Sequence, residues 1–186
     1  MAFPVGIMPA GAAFFIQKDC HIVAKWNLPP AHSIPLKPTD LSIRCNDRRA
    51  IGAGTRGAPE NFLFSVKDAR FITHMKKLHE VEVPLANFFA SGVLALQEKL
   101  GPILWQFPPN FGWNEKRFRQ FFQLLPKTTR EAALLGRRHD SKLKTHAWLK
   151  AKCDRALRYC VEIRHVSFLV PDFFELWLSA VQPRIK

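Results

Sequence analysis

Between residues 62 and 177 the chain alternates two hydrophobic periods. The stretch "FLFSVK" (62–67) is an apolar run closed by a lysine, the pattern of a buried strand that stops at Lys67. The chain then reads as a short loop or helix through Thr73 and His74. A helix is expected to open at Pro84, where a missing N–H costs nothing. It would carry Leu85, Phe88, Phe89, Leu96 and Leu100 on one face until Gly101 stops it. "PILWQFPP" (102–109) predicts a second buried strand, closed by two prolines. Asn114 is expected to cap a helix bearing Phe118, Phe121, Phe122 and Leu125, which Pro126 ends. After a basic excursion, "LRYCVEIRH" (157–165) predicts a third strand, and Pro171 opens a last amphipathic helix through Phe174 and Trp177.

Strand and helix thus alternate three times, which predicts an α/β fold with parallel strands joined by right-handed crossovers. Each strand ends in polar residues: Lys67, then Gln106, then Glu162 with Arg164 and His165. Ligands of parallel α/β folds bind at that end of the sheet. The expectation is a pocket there, with Lys67 as one lip and His74 on the loop above it. Plainer roles compete: Lys67 can run its methylenes out to solvent, and Gln106 can cap the turn before Pro108. Glu162 and Arg164 are expected on opposite faces of their strand unless it bends.

Residues 1–58 differ in texture. They are rich in Pro, Gly and Ala and show no sustained helical or strand period. The opening "MAFPVGIMPAGAAFFI" is apolar but lacks the basic start of a secretory signal. No run approaches the ~20 apolar residues that span a bilayer, so no membrane association is expected. At 186 residues and 47% hydrophobic content, the chain can fill one domain's core. Cys20, Cys45, Cys153 and Cys160 fit reduced thiols and a cytoplasmic location better than a disulfide framework. His139, His146, Cys153 and Cys160 recur every seven residues. On one helix that spacing separates neighbours by roughly 10 Å, too far to share an ion, so no metal site is expected. The net charge of +13 is concentrated in part in "RRHDSKLKTHAWLKAKCDRALR" (137–158), a segment able to track phosphates of nucleic acid or another polyanion. Its one aromatic residue suited to base stacking, Trp148, makes a solvated lysine-rich surface the simpler reading.

"FLFSVKDARFITHMKKL", "LGPILWQFPPNF" and "VEIRHVSF" resemble, in order and spacing, the three central motifs of the YecE-like proteins, domain of unknown function 72. The resemblance covers residues 59–177 and implies a TIM-barrel-like fold with a pocket at the strand C-termini. It places Lys67, His74, Gln106, Glu162, Arg164 and His165 at the family's characteristic polar positions and supplies no reaction or cofactor. Asp68 stands where the family usually has a small residue. The family's opening strands, with Phe-Tyr-Pro and Glu-x-Asn motifs, are missing from residues 1–58, and the later strands are missing beyond Trp177. A complete barrel takes ~250 residues, so a partial, incomplete barrel is expected. The domain order would be an irregular segment 1–58, a barrel fragment 59–177 with a basic insertion at 128–156, and a tail 178–186.

The genetic code suggests a cause. When the last base of each codon is read with the first two of the next, "GAAFFIQKDCH" (11–21) can encode Arg-Gly-Val-Phe-Tyr-Pro-Lys-Gly-Leu-Pro. At the same offset "LKPTDLSIR" (36–44) can encode Glu-Thr-Asn-Gly-Ser-Phe-Tyr-Ser. Both resemble the missing motifs, in the right order, and the Asp19–Cys20 junction permits leucine alone. Residues 1 to about 55 therefore read as a frame-shifted product of a once normal gene, on which the chain as given would have no function.

Three functional expectations follow. In the first, the pocket takes an anionic or polyol small molecule for acid/base or hydrolytic chemistry. Glu162, His165 and Lys67 are its catalytic candidates, and His74, Gln106 and Arg164 its ligand-binding ones. In the second, the basic segment binds a polyanion. The third is no activity at all.

Overall fold

The apolar run behind Lys67 becomes the central strand of a five-stranded sheet. The computed structural model describes residues 21–25, 43–44, 55, 58–59, 62–143 and 146–181. In chain order the strands are β1 (His21–Lys25), β2 (Ile43–Arg44), β3 (Leu63–Lys67), β4 (Leu100–Gln106) and β5 (Tyr159–Glu162). They lie in the order β2-β1-β3-β4-β5. The β3–β4 and β4–β5 pairs are parallel. Three parallel strands alternating with helices in an open sheet form the partial barrel-like fold that the sequence predicts.

The far side of β3 is occupied differently. Residues 21–25 run antiparallel along β3, with Ile22 opposite Val66, and residues 43–44 pair antiparallel with β1. Both strands fall in the segment where no element is expected. β1 therefore runs against the strands of a parallel barrel, while β2, antiparallel to β1, runs with them. The rest of 1–54, including most of the frame-offset stretches, lies outside the described residues.

Among the described residues, the α-helices packed with the sheet are α1 (Glu82–Ala90), α2 (Glu115–Leu124), α3 (Thr129–Gly136) and α4 (Pro171–Val181). The long helix expected up to Gly101 stops ten residues earlier. Gly92 takes a left-handed φ of 119°, residues 93–99 wind more tightly, and Leu100 already belongs to β4. Periodicity alone could not separate these, because a buried strand and a buried helical face are both continuously apolar. Gly101 serves a different purpose: a Cβ there would come within 2.9 Å of the Phe64 carbonyl oxygen, so glycine permits the close approach of β3. Helix α2 starts as expected, with Asn114 Oδ1 accepting the Arg117 N–H at 3.0 Å. On α4 the buried residues are Phe173 and Leu176, while Phe174 is 47% exposed, so the apolar face is turned by one residue from the expected one.

The basic excursion has its own order. Thr128 caps α3 by accepting the Glu131 N–H at 3.2 Å, and α3 packs on α1. The two ends of the excursion are fastened side by side. Leu157 N donates to Lys127 O at 2.8 Å, and Thr129 N to Arg155 O at 2.9 Å.

The core lies between the sheet and the helices and is largely aromatic. Phe118 of α2 sits 5.0 Å from Phe107 and 5.1 Å from Phe168, centroid to centroid, and Phe168 is 5.1 Å from Phe173 of α4. Trp105 of β4 meets Phe121 of α2 edge to face at 5.0 Å. Such pairs add about 0.5–1.5 kcal/mol each beyond their area burial.

Candidate functional site

The register of β4 and β5 puts Gln106 directly opposite Glu162, and Lys67 closes β3 beside them. Trp105 and Phe107 point into the aromatic core, so Gln106 between them faces the other side of the sheet. There Lys67 Nζ donates to Gln106 Oε1 at 2.7 Å, and Gln106 Nε2 donates to Glu162 Oε2 at 2.6 Å. Arg164 completes the chain through Nε and a terminal nitrogen to Glu162 Oε1, at 2.8 and 2.7 Å. The expectation that Glu162 and Arg164 would point apart fails, because residues two apart on extended backbone share a face.

A second chain of hydrogen bonds meets the first at Gln106. Its backbone N–H donates to Asp68 Oδ1 at 3.0 Å, and Asp68 Oδ2 accepts from Thr73 Oγ1. Thr73 Oγ1 in turn lies 2.9 Å from His74 Nδ1. A single wide turn, Phe71–Met75, brings Thr73 and His74 back over the end of β3. It is followed by left-handed backbone at Lys77, Leu78 and Glu80, with φ of 47°, 64° and 47°. Non-glycine residues adopt that conformation at a cost of about 1–3 kcal/mol each. Burial of Leu78 and its N–H bond to Ile72 O at 3.1 Å help to hold the turn there.

Lys67, Asp68, Thr73 and Gln106 are all buried, and burial dominates the electrostatics. It lowers the Lys67 pKa, against the raising effect of the Asp68 and Glu162 charges. It raises the Asp68 carboxyl to about 6, against the hydrogen bonds from Thr73 and Gln106 and the Lys67 charge. His74 is half-buried, and its pKa is lowered first by desolvation and then by the charges of Arg70, Lys67 and Arg164.

Lys67, His74, Gln106, Glu162 and Arg164 therefore come together through two hydrogen-bonded chains. His165 makes its contacts elsewhere. Its Nδ1 lies 2.8 Å from Ser167 Oγ and accepts the Ser167 N–H at 3.2 Å, while Ser167 Oγ accepts the Trp113 N–H at 2.8 Å. Among the described residues no group of three or more His, Cys, Asp or Glu could hold a metal ion, and no helix is long and apolar enough to cross a membrane. The sequence reading missed Thr73 and the depth of Asp68. The Thr-His pair and the carboxylate beside a strand-end lysine were visible signals, but the wide turn that joins them was not.

Parallel strands alternating with helices, with ionisable groups gathered at the strand ends, define an α/β protein of the barrel-like kind. The chain belongs to the DUF72 (YecE-like) family: the family model described as "Protein of unknown function DUF72" matches residues 47–182. No curated protein and no solved structure matches the chain.

Proposed function

We propose that the strand-end cluster is a binding site for an anionic or polyol small molecule, on which it supports proton transfer or hydrolysis. The observation that carries this reading is the unbroken Lys67–Gln106–Glu162–Arg164 chain across three adjacent strand ends. Taking a charged group out of water costs several kcal/mol, so the buried Lys67 at the inner end of this chain is weak evidence of a purely stabilising role, while Glu162 and Arg164 at its outer end stay within reach of a ligand. In this reading Lys67 and Arg164 hold the ligand's negative charge, Gln106 and His74 orient it, and Glu162 transfers a proton. His165, its Nδ1 already occupied by Ser167, offers its Nε2–H as a further donor.

Thermal unfolding of the chain in the presence of inorganic phosphate, sugar phosphates and polyols tests the proposal. A ligand at one hundred times its Kd should stabilise by about 2.7 kcal/mol. Lys67→Ala and Glu162→Ala should each abolish that response. No response to any of these compounds, with both variants behaving as the parent does, would refute the reading.

The alternative reading is polyanion binding by residues 137–158. Exposed Arg137, Arg138, Lys142, Lys150 and Arg158 favour it, and Lys144 lies outside the described residues. Against it, Lys152 is paired with Glu98 at 2.8 Å, and the Arg155 guanidinium is spent on the Gln97 and Glu98 carbonyls. Affinity for single-stranded or duplex DNA that is insensitive to salt would eliminate this alternative.

We also propose that residues 1 to about 55 come from a shifted reading frame. In support, the offset reading of 11–21 and 36–44 spells strings that resemble the family's opening motifs; the family match starts at residue 47, so it favours a return to frame before that residue rather than near 55. Nucleotide sequencing decides it: codons whose third bases cannot spell those motifs would rule the shift out.

A further inference from the structure

Thr73 Oγ1 stands between two groups and has one proton to give. Asp68 is fully buried, and above about pH 6 it is an anion that can only accept. Gln106 N–H satisfies its Oδ1, and Oδ2 takes the Thr73 proton. The remaining contact, Thr73 Oγ1 to His74 Nδ1 at 2.9 Å, must then receive its proton from the imidazole. Two lone pairs facing each other at that distance would repel.

We propose that Asp68 and Thr73 hold His74 as the tautomer protonated at Nδ1, leaving the unprotonated Nε2 as a further proton acceptor of the strand-end site, beside Glu162. The assignment rests on reading that site as one that handles protons, and it adds two positioning residues and a base. Desolvation first, and then the charges of Arg70, Lys67 and Arg164, disfavour a charged ring, so the Nε2 lone pair is available near neutral pH. A hydroxyl of a polyol or phosphorylated ligand would pass its proton to Nε2, the O–H electron pair staying on the oxygen. The Lys67 and Arg164 charges would stabilise that alkoxide, and the Asp68 carboxylate would stabilise the new imidazolium through Thr73.

The reasoning makes an opposite prediction for one near-isosteric change. In Asp68→Asn the side-chain oxygen must keep the Gln106 N–H, which forces the amide nitrogen toward Thr73. Thr73 then accepts there and donates its O–H as a hydrogen bond to the His74 Nδ1 lone pair. The imidazole must shift its proton to Nε2.

Two-bond nitrogen–proton correlation spectra of the uniformly 15N-labelled full-length chain, recorded without ligand well above pH 6, read this directly. The His74 signals are assigned among the seven histidines by their loss in His74→Gln. The wild-type chain should show a protonated Nδ1 and an unprotonated Nε2, Thr73→Ser should keep that pattern, and Asp68→Asn should invert it. A wild-type His74 protonated at Nε2 overturns the proposal whatever the variants do, so it stays falsifiable even if Asp68→Asn does not fold. A folded Asp68→Asn with an unchanged tautomer overturns it equally. Because no ligand is present, a negative result here leaves the small-molecule reading standing. A failed ligand screen, in turn, leaves the tautomer assignment untouched.

Discussion

The aromatic core and the strand-end cluster are built from alternate residues of the same strands. Trp105 of β4 and Phe107 just beyond it turn toward the helices, and Gln106 between them turns away. On the helix side the forces are additive and nearly non-directional: each ring meets several others, and any large apolar residue fills part of the volume. On the other side each group depends on particular partners at particular angles, and an unmatched buried charge is heavily penalised. One face of the sheet accounts for stability at every pH. The other carries charge whose effect depends on protonation.

Phe118→Ala should be the most damaging single change. It removes a fully buried ring in contact with Phe107, Phe111, Phe122, Phe168 and Phe173, at a cost of about 3–5 kcal/mol in urea unfolding. The loss should be nearly the same at every pH between 4 and 8; a strongly pH-dependent loss would blur the distinction between the two faces.

Asp68→Asn should act in the opposite direction and only in part of the pH range. The folded-state pKa of Asp68 is about 6, against an ordinary 3.8, so between those values the native chain binds the extra proton. Stability contributed by the protonated form is therefore complete below about pH 4 and lost as pH rises through 6. At 1.36 kcal/mol per unit the loss is about 3 kcal/mol. The asparagine variant should lack this decline and be more stable than the parent above pH 6. Parallel stability–pH curves for the two proteins would show that Asp68 is not held as described.

Gln106→Leu keeps the volume but removes the amide that bonds both Lys67 Nζ and Glu162 Oε2, which should cost about 2 kcal/mol. A variant as stable as the parent would mean that water replaces the amide. Smallest of the set, Asn114→Ala should remove the α2 cap for about 1 kcal/mol and leave any ligand response intact.

The legible parts of the fold share a physical cause. Runs such as 62–67 announce buried strands because a short apolar run bounded by polar residues is too short for a helix of its own. Their terminal polar residues are conspicuous for the same reason, which is why Lys67, Gln106 and Glu162 could be named in advance. Asp68 and Thr73 are separated by a turn whose width no local pattern encodes, so their meeting was invisible. The early end of α1 was hidden too, because Leu96 and Leu100 continue the helical spacing by coincidence while the left-handed Gly92 has already broken it. Strands β1 and β2 were missed because residues 21–25 and 43–44 lie in text without a period.

The fastening of residue 127 to 157 and of 129 to 155 has a consequence for descent. Since that clasp fixes where the chain leaves α2 and re-enters β5, the thirty or so residues it encloses can lengthen, shorten or change their charge without displacing Glu162. Variants of this chain that differ in length or charge in that stretch should still superpose on the parent at the tip of β5.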